Sequence, residues 1–180
     1  MKRVALYFGS FNPIHNGHLM LANYIAEYEG MDEVRFVVSP QNPFKKNQEL
    51  LPDAWRLRTV REAVGSYGRF TVSDVEFHLE KPSYTFNTLS HFFRSEPDSK
   101  FFLVMGGDNL PNFHLWRNAD GIVRMCDILV YPRRGYDVDV PERWKNHARL
   151  MENAPMVDVS STLIRKAKKE GRDVRFFLPY

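Results

Sequence analysis

Apolar runs of strand length recur along this 180-residue chain, separated by segments of helical periodicity. Residues 4–8, 101–105 and 128–131 are unbroken apolar stretches, and 34–39 is nearly so. A strand with one face in water alternates apolar with polar residues, whereas a strand covered on both faces reads as a continuous apolar run. Between these runs, residues 17–29 place Leu19, Ala22, Ile25 and Ala26 on one face of a helix. Segments 53–64, 85–95 and 141–152 read as further helices, 70–73 and 156–157 as short strands, and 161–170 as a last helix stopped by Gly171. The pattern predicts an α/β fold: a Rossmann-like, doubly wound parallel sheet with helices on both faces. One domain spanning 1–180 is expected from the length. In open parallel sheets ligands bind beyond the carboxyl ends of the strands. The segments that directly follow strands are therefore where chemistry is expected.

Charge and cysteine usage narrow the partners. The 25 basic residues barely exceed the 22 acidic ones, and the clearest basic clusters are Lys45-Lys46, Arg133-Arg134 and Lys166 with Lys168-Lys169. Nucleic-acid binders gather such charge into a stripe, so no nucleic-acid partner is expected. The single cysteine, Cys126, sits in a strand-like run, which predicts a buried thiol rather than a nucleophile and suits a reducing compartment. No run approaches the ~20 apolar residues of a membrane span. The expectation is a cytoplasmic protein with no membrane partner; a homo-oligomer stays open.

The first strand is followed by Gly9-Ser10-Phe11-Asn12-Pro13-Ile14-His15-Asn16-Gly17-His18. Gly9 has no Cβ to keep a ligand from the backbone. Asn16 is a plausible N-cap, with the helix beginning at Gly17. A helix start offers free N–H groups and partial positive charge to an anion. His15 and His18 lie three residues apart across it, and a histidine held near a phosphate gains proton affinity. Structural histidines and a metal-binding pair are the competing readings; no cysteine or carboxylate in the turn completes a metal site. No G-K-[ST] follows, so this is not a Walker A loop. The phosphate cradle is favoured because glycine, the histidine pair and a helix start coincide after strand one.

A second helix start, Ser160-Ser161-Thr162-Leu163-Ile164-Arg165, opens the last helix. Capping alone accounts for a serine or threonine there. Arg165 lies three to four residues beyond Ser161 and Thr162, so hydroxyls, N–H groups and a guanidinium converge on one face. That set suits the β- and γ-phosphates of a nucleotide.

The H-x-G-H turn and the late S-S-T-x-I-R start together resemble the nucleotidyltransferase superfamily with H-x-G-H motifs. Further stretches resemble one of its families, the bacterial nicotinate-nucleotide adenylyltransferases: S-P-x-x-P-x-K at 39–45, P-S-Y-T-x-x-T-L at 82–89, G-G-D-x-L at 106–110, F-x-x-W at 113–116 and R-x-G-Y at 133–136. The resemblance implies adenylyl transfer from ATP to nicotinate mononucleotide, giving deamido-NAD and pyrophosphate, with Mg²⁺ accompanying the ATP. It implies that Gly9, Ser10 and Phe11 form a backbone bed for phosphates, that His15 and His18 bind the ATP phosphates, and that Lys45 reaches the triphosphate. It places Gly106 and Asp108 at the ATP ribose, and Ser161, Thr162 and Arg165 at the β,γ-phosphates. Thr85 is implied near the nicotinate carboxylate, Trp116 on the pyridine ring and Arg133 near the acceptor's phosphate. His15, His18, Lys45 and Arg165 are the implied catalytic residues. The chain departs from the family pattern at Asn12, usually aspartate, at Phe44, often histidine, and at Arg134, usually proline. Related enzymes acting on another phosphorylated acceptor such as phosphopantetheine, and a non-catalytic nucleotide sensor, are the alternative readings.

Overall fold

Strands alternate with helices and 3₁₀ turns along the chain in the computed structural model, which describes residues 1–40 and 50–180. Among these, β1 (Lys2–Gly9), β2 (Glu33–Val38), β3 (Phe70–Ser73), β4 (Ser99–Gly106), β5 (Cys126–Tyr131) and β6 (Ala148–Leu150) form one sheet in the order β3-β2-β1-β4-β5-β6. All neighbouring pairs are parallel. The helices are α1 (Asn16–Tyr28), α2 (Asp53–Val64), α3 (Thr85–Ser95), α4 (Ala119–Met125) and α5 (Ser161–Lys169). The strand order reverses between β1 and β4, so a crevice opens at their carboxyl ends.

The continuous apolar strands have the cause expected for them. Ala5 and Tyr7 of β1 face one core with Leu21, Ala22, Ile25 and Ala26 of α1, while Val4 and Leu6 face the other with Leu89 and Phe92 of α3 and Ile122 of α4. Phe102 and Val104 of β4 join the first core and Phe101, Leu103 and Met105 the second. Successive side chains point to opposite faces, and both faces are covered. Each fully buried Val, Leu, Ile, Phe or Met among them contributes about 1.5–3 kcal/mol. Cys126 is buried in the second core, its thiol donating to the Ile122 carbonyl at 3.5 Å, and burial pushes its pKa up to about 12. Among the described residues no helix is long and apolar enough to cross a membrane.

The end of the chain differs from the expected helix at 141–152 and strand at 156–157. A short 3₁₀ turn at Glu142–Trp144 is followed by β6. Trp144 is buried edge-on against Phe113, at 5.0 Å between ring centres, and the three residues of β6 extend the sheet beside β5. Long-range strand pairing overrides the local period of Trp144, Ala148 and Met151. Residues 156–157 form no strand, and Met156 is exposed.

Candidate active site

The turn after β1 is held from three directions. Arg56 of α2, fully buried, gives Nη1 to the Ser10 carbonyl at 2.6 Å and to the Ser39 carbonyl at 2.8 Å. Its Nε reaches the Leu51 carbonyl at 3.0 Å, and its Nη2 the Pro40 carbonyl and Asp53 Oδ1. The planar fork of five N–H donors is thus fully used, tying the ends of β1 and β2 together. The Asn12 amide oxygen accepts from the Leu51 N–H at 2.9 Å, so the departure to Asn12 keeps an acceptor in that place. From the far end of the chain, Arg165 Nη1 donates to the Asn12 carbonyl at 2.7 Å and Ser161 Oγ to the Pro13 carbonyl at 2.8 Å.

Gly9 serves a different need from the one expected. A Cβ there would stand 2.9 Å from Cζ of Phe11, whose backbone takes a positive φ of 44°. The ring turns back over Gly9, and it packs edge-on against Tyr7 at 5.8 Å and His18 at 5.1 Å.

The helix start also differs by one residue. His15, with extended φ and ψ of −145° and 170°, occupies the cap position expected for Asn16. Asn16 opens the helix, and its side-chain amide donates to the Phe176 carbonyl at 2.8 Å. The His15 backbone N–H donates to His18 Nδ1 at 3.2 Å, and the two rings stack 3.7 Å apart at 23°. A neutral His18 that accepts at Nδ1 carries its proton on Nε2, a donor. A Cβ on Gly17 would meet His15 Nδ1 at 3.0 Å, which explains the glycine between the histidines. Burial first, then the positive charge of Arg133, lowers the His15 pKa to about 4. The ligand-free His15 is therefore neutral at pH 7, opposite in direction to the gain in proton affinity that a nearby phosphate confers.

Around the mouths of β4 and β5, Asp108 Oδ1 lies against Gly106, where any Cβ would collide with it. It pairs with Arg133 Nε at 3.4 Å. The Arg133 guanidinium sits 5.4 Å over the Tyr131 ring, and Tyr131 lies edge-on to Tyr7 with ring centres 6.5 Å apart. Arg133 thus stands at the site, half-exposed, whereas Arg134 pairs with Asp158 at 2.8 Å and is largely exposed. Thr85 is the first residue of α3, and Trp116 is half-buried, edge-on to Phe113 at 5.5 Å.

These parts line one cleft of about 690 Å³, within the usual range for small-molecule sites. Gly9, Ser10, Phe11, His15, His18, Thr85, Gly106, Asp108, Trp116, Arg133, Ser161 and Thr162 all reach it. Arg165 does not line it: the guanidinium is held by the Asn12 carbonyl and, at 3.2 Å, by the Thr162 hydroxyl. It nonetheless binds the turn that carries the histidines, so the two helix starts do meet. Lys45, like Phe44, lies outside the described residues.

Arg56 was not anticipated from sequence. Its signal was an arginine four and eight residues before Val60 and Val64, on the stripe that α2 buries. Glu76 and Ser83, both buried in the cleft wall, carried no periodic signal.

The cytidylyltransferase-like family model matches residues 6–167. Fold and site thus define a nucleotidyltransferase. A probable nicotinate-nucleotide adenylyltransferase of Bacteroides fragilis is 47% identical over 98% of this chain and 87% of its own length. One from Christiangramia forsetii is 44% identical over 96% and 89%. The chain belongs to the nicotinate-nucleotide adenylyltransferase family. Its fold matches that of the Plasmodium falciparum nicotinic acid mononucleotide adenylyltransferase complexed with NaAD, with a TM-score of 0.78 at 18% identity, over 97% of this chain and 88% of that one. A putative nicotinate-nucleotide adenylyltransferase from Vibrio parahaemolyticus superposes with a TM-score of 0.71 at 22% identity, over 99% and 87%.

Proposed function

We propose that this chain transfers the adenylyl group of ATP to nicotinate mononucleotide. The observation that carries the reading is a single cleft at the β1/β4 switch point, lined from one side by the His15–His18 helix start and from the other by Ser161 and Thr162. A phosphate oxygen of the acceptor forms a bond to the α-phosphorus of ATP. The bond from that phosphorus to its bridging oxygen breaks, and pyrophosphate leaves with the electron pair. The acceptor's phosphate has a second pKa near 6 and is largely dianionic at pH 7, so no general base is required.

What the chain supplies is position and charge. His18 Nε2–H, the Thr162 hydroxyl and free N–H groups of α1 and α5 are the donors offered to the triphosphate, and Lys45 is assigned the same role. His15 takes up a proton as the anion arrives. Arg133 neutralises the acceptor's phosphate, Asp108 holds the ribose, and Thr85 and Trp116 receive the pyridine ring. Arg165 acts by fixing the Asn12 carbonyl and the Thr162 hydroxyl. A Mg²⁺ accompanying ATP would be carried on the substrate phosphates rather than in a protein cage. Such an ion would neutralise charge on the triphosphate. A reducing cytoplasm suits the buried thiol. Pyrophosphate release, measured with ATP and either nicotinate or nicotinamide mononucleotide, tests the reading; no release with the acid overturns it.

A further inference from the structure

Three arginines line the cleft: Arg117, Arg133 and Arg134. Two are matched by carboxylates that also line it, Arg133 by Asp108 at 3.4 Å and Arg134 by Asp158 at 2.8 Å. Arg117 is exposed, and among the described residues it makes no ion pair and no side-chain hydrogen bond. Its guanidinium lies over the Tyr84 ring, 4.6 Å from the ring centre. Arg117 directly follows Trp116, and Tyr84 directly precedes Thr85. The contact therefore ties together the two segments assigned to the acceptor's pyridine ring, and all four residues line the cleft.

A guanidinium keeps its charge at any working pH, so its sign at this place needs no special environment. Cation–π attraction holds it over the tyrosine ring. Its five N–H donors remain to be given to a ligand. A carboxylate accepts two of them in parallel, in charge-assisted bonds about twice as strong as neutral ones. A carboxamide of the same shape offers one oxygen and no charge, and its NH₂ would face donors.

We propose that the Arg117 side chain is a specificity determinant: seated on Tyr84, it gives its fork to the carboxylate on the acceptor's ring and so favours the acid over the amide. The inference rests on the reading of the acceptor given above. Of the three cleft arginines, Arg133 and Arg134 already have their charge answered within the protein. Arg117 is the one whose charge is left for the ligand, and it stands at the ring end of the cleft. Tyr84 acts through Arg117 as a positioning residue, since it is the surface on which the guanidinium rests.

The test is the ratio of kcat/KM for nicotinate over nicotinamide mononucleotide, measured by pyrophosphate release. Arg117→Met keeps the stem and removes the charge. It should lower the ratio about tenfold or more, as for the loss of a hydrogen bond to a charged group, with the loss falling on the acid. Arg117→Lys keeps the charge without the fork and should retain a ratio between those of wild type and Arg117→Met. Thermal unfolding establishes that both variants are folded. A ratio within about threefold of wild type in Arg117→Met overturns the inference. So does an equal loss with both acceptors, which a merely structural role would give, or a lysine variant no more selective than the methionine one. A wild type that uses both acceptors equally overturns the inference and leaves the adenylyl transfer standing. No release from wild type with the acid is a separate result, which overturns the proposed activity and this inference with it.

Discussion

His15 gives its backbone N–H to Nδ1 of His18 at 3.2 Å and lays its own ring against that imidazole at 3.7 Å. One histidine thereby sets the tautomer and orientation of the other. The His18 proton stands on Nε2, and the ring is kept in place by Phe11 and Tyr7.

Replacing His18 with alanine should therefore remove a preorganised donor and lower turnover by about 10²–10³-fold, the scale for one transition-state donor. Steady-state pyrophosphate release checks this, with nucleotide binding measured separately. A turnover within threefold of wild type would remove His18 from the chemistry.

His15 predicts a stability that depends on acid. Its folded pKa of about 4 lies below the ordinary 6.5, so between those values the unfolded chain binds more protons. Stability from this residue is complete above pH 6.5 and declines as pH falls toward 4, by about 3 kcal/mol in all. Urea unfolding of wild type and His15→Asn at pH 7.5 and pH 4 should show wild type losing more, by about that amount. Equal losses would contradict the assignment.

Nucleotide binding should reverse that shift. A phosphate beside His15 favours the imidazolium, so ATP binding near pH 6 should take up a proton. Calorimetry in two buffers of different ionisation enthalpy measures the uptake, which His15→Asn should abolish.

Arg56 predicts a fold defect centred on the site. Arg56→Met leaves the Ser10, Ser39 and Leu51 carbonyls without their donor. Stability should fall by about 3–5 kcal/mol, the cost of breaking a buried charged network. Arg56→Lys should recover little of it, because an ammonium cannot reproduce the fork. Denaturant midpoints of the three proteins decide the matter.

Much of this architecture could be read from residue order. Unbroken apolar runs at 4–8 and 101–105 announced strands covered on both faces, and the segments directly after strands were where the site was expected, while the reversal between β1 and β4 needed coordinates. The H-x-G-H turn and the S-S-T-x-I-R start were both legible because each concentrates donors at a helix end. What escaped depends on distant partners. Residues 141–152 carry a helical spacing, but Trp144 and β6 obey Phe113 and β5 instead. The seven-residue α4 carries Gly121 inside it and starts after Asn118 in the left-handed region, so local propensity gave it no signal. Gly9 was read as making room for a ligand, and the packing of the Phe11 ring over it needed coordinates to see. Arg165 was read as a phosphate ligand, and its hydrogen bonds to Asn12 and Thr162 required coordinates to see.

The bonds from Ser161 to Pro13 and from Arg165 to Asn12 span 148 and 153 residues of chain. A nascent polypeptide on the ribosome has its histidine turn early and must wait for Ser161 and Arg165 before that turn is braced. A product cut short before residue 160 would keep much of its sheet while lacking one jaw of the nucleotide site.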